Sequence, residues 1–145
     1  YSLDALYSIN HHIKKALNDR VFLDSGACIF IEKTEAATMI DVNTAKAIKG
    51  SDQKEEHFLK INIEAALEIA RQLRTRQISG IVLIDFIDMK KDESYDILKK
   101  TLTDELKKDP VKASFIDFTA LGIAEITRAK RHRELKEVYN IPMTD

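Results

Sequence analysis

Tryptophan is absent from the 145 residues, cysteine occurs once, proline twice and glycine four times. A single cysteine closes no internal disulfide and builds no cysteine-rich zinc site within the chain. So few glycines and prolines leave little room for flexible linkers. No apolar run approaches the roughly 20 residues that span a bilayer, and the N-terminus lacks the pattern of a secretory signal. The chain is therefore expected to be cytoplasmic. Cys28, beside Ile29, Phe30 and Ile31, is expected as a small buried side chain rather than a reactive thiol. An excess of one charge is also missing. Lysine plus arginine number 23 against 24 acids, a net charge of −1, so the whole chain exerts no general pull on nucleic acid. The sequence opens on Tyr1 rather than Met, and is expected to be part of a larger protein.

What is present is the balance of one globular domain, with 44% apolar and 32% charged residues. Leu6, Ile9, Ile13 and Leu17 recur at helical spacing and predict a helix over 3–18. Asp24-Ser25-Gly26 is a turn signal between Val21–Leu23 and Cys28–Glu32, which predicts a hairpin, and Thr38–Asn43 reads as a further strand. From Lys54 to Gln77, Phe58, Ala65, Ile69 and Leu73 line one helical face, with Ser51 or Asp52 as candidate caps. After Gly80 comes Ile81-Val82-Leu83-Ile84, the continuous apolar run of a strand covered on both faces. A helix over 91–108, strands over Lys112–Phe118 and Gly122–Thr127, and a short basic helix to about Tyr139 complete the order. This order implies an α/β (α+β) fold, a mixed sheet of about six strands with helices packed on it.

Two aspartates stand where a carboxylate is costly. Asp41 follows Thr38-Met39-Ile40 inside a predicted strand, and Asp85 follows Ile81-Val82-Leu83-Ile84. A carboxylate in a buried strand must be paired, hydrogen-bonded or bound to metal. Both lie towards the C-terminal ends of their apolar runs, where open α/β sheets place ligands. Two hard oxygen donors suit Mg²⁺, with Mn²⁺ as an alternative; capping a helix or pairing with an arginine would satisfy them equally. Asn43, two residues after Asp41, shares its face and could orient it. Asp88, three residues from Asp85, would point the other way and reads as a cap or ion-pair residue. Between Arg128 and Lys136 five basic residues and His132 face one acid, Glu134. Such a run can grip phosphates or form a solvated helix face. His11, His12, His57 and His132 fall on predicted helices among charges, so surface positions are expected. No glycine-rich phosphate loop, zinc-type spacing or nucleophile elbow occurs.

These residues lie in strings that resemble the ribonuclease E/G family, in its DNase-I-like catalytic subdomain. The matching segments include Ser25-Gly26 before Ile29-Phe30-Ile31, Thr34-Glu35-Ala36 before Ile40-Asp41-Val42-Asn43-Thr44, and Asn62-Ile63-Glu64-Ala65-Ala66 with Ile69-Ala70-Arg71-Gln72-Leu73-Arg74. Gly80-Ile81 through Ile84-Asp85-Phe86-Ile87-Asp88-Met89, and Ala120-Leu121-Gly122 with Glu125-Ile126-Thr127-Arg128, extend the match over about 9–134. The Ala-Leu-Gly string leans slightly to the G branch. The resemblance implies Asp41 and Asp85 as magnesium ligands, Asn43 as their support, and Lys112, Arg128 and Lys130 as basic residues near RNA. It implies hydrolysis of single-stranded RNA to 5′-phosphate and 3′-hydroxyl ends, and a homo-oligomer for the full-length family protein.

Ala27 and Ala45 replace glycines usual in the family, and one residue is inserted between Asp52 and Asn62. The family's OB-type RNA-binding domain, its 5′-end sensor and its zinc-sharing cysteine pair are not in this sequence. Two readings follow: a Mg²⁺-dependent endoribonuclease core, or a non-catalytic RNA-binding or scaffolding fragment of the same family. A plain interaction domain would require every motif match to be accidental.

Overall fold

Burial alternates strictly along residues 38–43: Thr38, Ile40 and Val42 are buried, while Met39, Asp41 and Asn43 are exposed. That period of two marks a strand with one face on a core and one on solvent. A computed structural model describes residues 3–44 and 51–139. The elements, in chain order, are α1 (Leu3–Ala16), β1 (Arg20–Phe22), β2 (Cys28–Lys33), β3 (Thr38–Asn43), α2 (Ser51–Arg76), β4 (Gly80–Asp85), α3 (Asp92–Lys107), β5 (Ala113–Phe118), β6 (Ala124–Arg128) and α4 (Leu135–Tyr139). The strands form one mixed sheet in the order β1-β2-β3-β4-β6-β5. The predicted architecture and element order hold. The candidate caps Ser51 and Asp52, and the replaced glycine position Ala45, lie outside the residues whose side chains are described.

β3 and β4 pair in parallel, whereas β1–β2, β2–β3, β4–β6 and β5–β6 pair antiparallel. Parallel neighbours need a crossover, and α2 supplies it. One face of the sheet presents Ile29, Ile31, Ile40, Val42, Val82, Ile84, Ala124 and Ile126 to Ile61, Ala65, Ile69 and Leu73 of α2 and Leu98, Leu102 and Leu106 of α3. Both long helices therefore lie on the same side. The other face is open, with Phe22 72% exposed and Ile81 50% exposed. The expectation that β4 is covered on both faces is thus corrected. Its alternate residues Ile81, Leu83 and Asp85 look outward because, among the described residues, no helix crosses that side. Cys28 is likewise half-buried rather than buried, since it belongs to the outward set of β2.

The two long helices are closed in different ways, α2 by its own backbone and α3 by a side chain from another element. α2 ends with Gln77 in the left-handed region at φ 54°, and the Ile78 N–H donates to the Leu73 carbonyl at 3.0 Å, a Schellman-type closure. α3 has no side-chain cap of its own. Glu55 of α2 takes that place, accepting the Lys90 N–H at 2.9 Å, the Lys91 N–H at 3.0 Å and the Ser94 hydroxyl at 2.9 Å. The helix dipole favours an anion there. α1 contributes less to the core: Leu3, Tyr7 and Ile9 are exposed, and Leu17, just beyond its end, is buried.

Backbone hydrogen bonds from Lys90 and Lys91 lead the causes that hold the Glu55 carboxyl below the ordinary glutamate value, against the opposing effect of burial. A depressed folded-state value means that its stabilisation is complete above the unfolded pKa of about 4.3 and is lost as pH falls through the folded value. Glu55→Gln is expected to destabilise by about 1–2 kcal/mol near neutrality. In urea melts the gap from wild type should stay constant down to mildly acidic pH and close in stronger acid; an undiminished gap in acid would contradict the assignment.

Candidate active site

Register brings the two aspartates together. Asp41 and Asp85 are direct partners across the parallel β3–β4 pair, and both side chains belong to the outward, exposed set. Adjacent strands lie about 4.8 Å apart, so neighbouring carboxylates on one face feel each other's charge. Asn43, next outward on β3, donates from Nδ2 to Asp41 Oδ2 at 2.9 Å. Partial desolvation, followed by the charges of Asp41 and Asp88, holds the Asp85 carboxyl above its ordinary value. The premise that these aspartates are buried is corrected: they stand on solvent at an open sheet face, and neither forms an ion pair among the described residues. A depression of about 360 Å³ opens here, lined by Phe30, Glu32, Met39, Ile40, Asp41 and Asp85.

Among the described residues, no cluster of three or more His, Cys, Asp or Glu side chains is arranged to hold a metal ion. The donor set is a pair. A pair of hard carboxylates with mutual repulsion and no neutralising side chain matches the needs of Mg²⁺, which keeps several waters and takes one or two carboxylates.

The expected basic residues fall elsewhere. β6 runs antiparallel to β4 and pairs Arg128 with Gly80 and Ala124 with Ile84. Arg128, Lys112 and Lys130 therefore sit near the Gly80 end, about 16 Å along β4 from Asp85 at 3.3 Å per residue. Lys112 and Lys130 are exposed. Arg128 is not: it is 3% exposed, and it donates to both Asp109 oxygens at 2.8 and 3.2 Å and to the Ile78 carbonyl at 3.1 Å. Its expected place on RNA is corrected to an interior one, because the alternation of β6 turns residue 128 to the helix side. In the basic run that follows, Lys136 pairs with Asp19 at 2.9 Å and Glu134 with Lys33. Asp88 makes no ion pair among the described residues, and Glu55 caps α3 in its stead. His57 is half-buried, unlike the exposed His11, His12 and His132.

One residue that the sequence reading passed over positions this site. Asn62 is fully buried in α2. Its Nδ2 donates to the Ile87 carbonyl at 2.9 Å, and its Oδ1 accepts the Ile87 N–H at 3.0 Å. Both bonds fix the backbone two residues beyond Asp85. The signal was available, since position 62 lies on the same helical stripe as Phe58, Ala65 and Ile69. A polar residue on a core stripe needs a partner.

A sequence model of the Ribonuclease E/G family matches residues 2–131. The chain is 42% identical over 133 residues to ribonuclease G of Haemophilus influenzae, covering 92% of this chain and 27% of that protein. It is 42% identical over 132 residues to ribonuclease G of Salmonella typhimurium, covering 91% of this chain and 27% of that protein. With ribonuclease E of a Synechocystis species the identity is 39% over 136 residues, 94% of this chain and 20% of that protein. An α/β domain with a paired-carboxylate face is thus placed by its sequence as well: the chain belongs to the ribonuclease E/G family. Its lean towards the G branch agrees with these identities. It spans about a quarter of the length of the ribonuclease G relatives it matches.

Carboxyl titration by ¹³C NMR tests the coupling. Asp85 is expected to titrate above ordinary aspartate, and Asp41→Asn should lower its midpoint by removing one of the charges that oppose ionisation. An Asp85 midpoint that ignores Asp41→Asn would show that the two groups do not interact.

Proposed function

We propose that this chain is the Mg²⁺-dependent catalytic core of an endoribonuclease that hydrolyses phosphodiester bonds in single-stranded RNA, with Mn²⁺ able to replace Mg²⁺. The observation that carries the reading is the register pairing of Asp41 with Asp85 on an uncovered face, in a chain of the ribonuclease E/G family. Asp41 and Asp85 would hold the ion. When bound, it would polarise the scissile phosphate and lower the pKa of an attacking water. Asn43, by donating to Asp41 Oδ2, restricts the rotation of that carboxylate, and Asn62 fixes the backbone beyond Asp85. Lys112 and Lys130, exposed at the far end of the sheet, would neutralise phosphates further along the strand. Arg128, committed to Asp109, takes no part. The parent protein would act in the cytoplasm as a homo-oligomer on ribosomal, transfer or messenger RNA. No helix among the described residues is long and apolar enough to cross a membrane.

The test is cleavage of a 5′-monophosphorylated, A/U-rich single strand with Mg²⁺ or Mn²⁺. Asp85→Asn is expected to reduce the rate by about 10²-fold or more, and Asn43→Ala by roughly 10–100-fold. Equal cleavage by wild type and Asp85→Asn removes Asp85 from the chemistry. Metal-independent binding without cleavage by wild type would favour the scaffolding alternative.

A further inference from the structure

The row of residues that contains the two carboxylates continues across the sheet. Asp85 pairs with Asp41, Asp41 with Phe30, and Phe30 with Arg20 on the edge strand β1. All four share the outward face, by the alternation that places Val21, Ile29 and Ile31 on the core side. The Arg20 guanidinium lies over the Phe30 ring, 4.8 Å from its centroid, and 6.0 Å from the centroid of Phe22. Phe22 is 72% exposed, and Arg20 forms no ion pair among the described residues. Phe30 lines the same depression as Asp41 and Asp85.

The fold does not need this cluster. The core of β1 and β2 is complete on the other face, and an exposed phenylalanine on a short edge strand is a liability for association. The groove of about 1000 Å³ behind it, between α1, β1 and α2, mixes Lys15, Arg20, Arg71 and Arg74 with Asp24, Glu64 and Glu68, so most of its charges offset one another. The platform itself is different in kind: two aromatic rings and one unpaired guanidinium, set beside an anionic pair. Aromatic rings and guanidinium planes are the surfaces on which unstacked bases of single-stranded RNA rest, and the cation attracts the adjoining backbone. Two strand spacings, about 10 Å, separate Phe30 from Asp85, within reach of a nucleotide next to a phosphate at the carboxylates.

We propose that Arg20, Phe22 and Phe30 form a stacking platform for a base of single-stranded RNA flanking the phosphate engaged at Asp41 and Asp85. This rests on the RNA-cleaving reading above and assigns that site a base-binding subsite.

The test is binding of the full 145-residue chain, with Mg²⁺, to a short fluorescent A/U single strand and to the same strand with abasic riboses, strand integrity being checked by gel. Wild type is expected to bind the intact strand about five-fold or more tightly than the abasic one. Phe22→Ala and Arg20→Lys should each abolish most of that difference and leave abasic affinity unchanged, and Phe22→Trp should retain it. Circular dichroism checks that each variant folds, which the exposure of Phe22 and Arg20 favours. Equal affinity of wild type for both strands overturns the platform while leaving the RNA-cleaving reading intact, as does indifference to both substitutions. Failure to bind either strand overturns both.

Discussion

The parallel pairing of β3 with β4 is the constraint on which the rest depends. It sets Asp41 against Asp85, and its register is fixed by the apolar residues between. A slip of either strand by one residue would turn its own apolar pair, Ile40 and Val42 or Val82 and Ile84, to solvent and its aspartate into the core. Because parallel strands need a crossover, α2 must pass over the sheet. Because α2 and α3 both return over the same side, no helix of the described residues covers the opposite face. An open face with two carboxylates at the C-terminal end of its parallel strand pair is thus a consequence of topology as much as of residue choice.

Interior polar groups then hold the segments around that face. Asn62 ties down the backbone after β4, Glu55 caps α3, and the Arg128–Asp109 pair joins the end of β6 to the loop before β5. Each satisfies buried donors or acceptors that would otherwise cost about 1–3 kcal/mol. The sheet face can therefore carry uncompensated carboxylates, while loop order is maintained from beneath.

Much of this was legible in the sequence, and the gaps have physical causes. Helical stripes and strand alternation gave the element order, and the Ile-Asp-Phe-Ile-Asp-Met and Ile-Ala-Arg-Gln-Leu-Arg strings gave the family. The apolar run of β4 misled, because a one-sided strand can carry Ile81 and Leu83 outward beside other apolar side chains. The same error made Asp41 and Asp85 look buried: the fold pairs them in register on an exposed face, not in the interior that the apolar runs suggested. Arg128 failed for the converse reason. Its basic neighbours suggest a surface, yet strand alternation sends it inward to an aspartate that no local pattern reveals. The Arg20–Phe30–Asp41–Asp85 row was invisible to the sequence alone, since it is written in register across four strands.

The most direct test of the central claim is Mn²⁺ binding by electron paramagnetic resonance or calorimetry, comparing wild type, Asp41→Asn, Asp85→Asn and the double variant. A shared site requires that either single substitution remove most of the affinity and that the double variant lose little more. Full affinity in either single variant, or no binding by the wild-type chain, would contradict it.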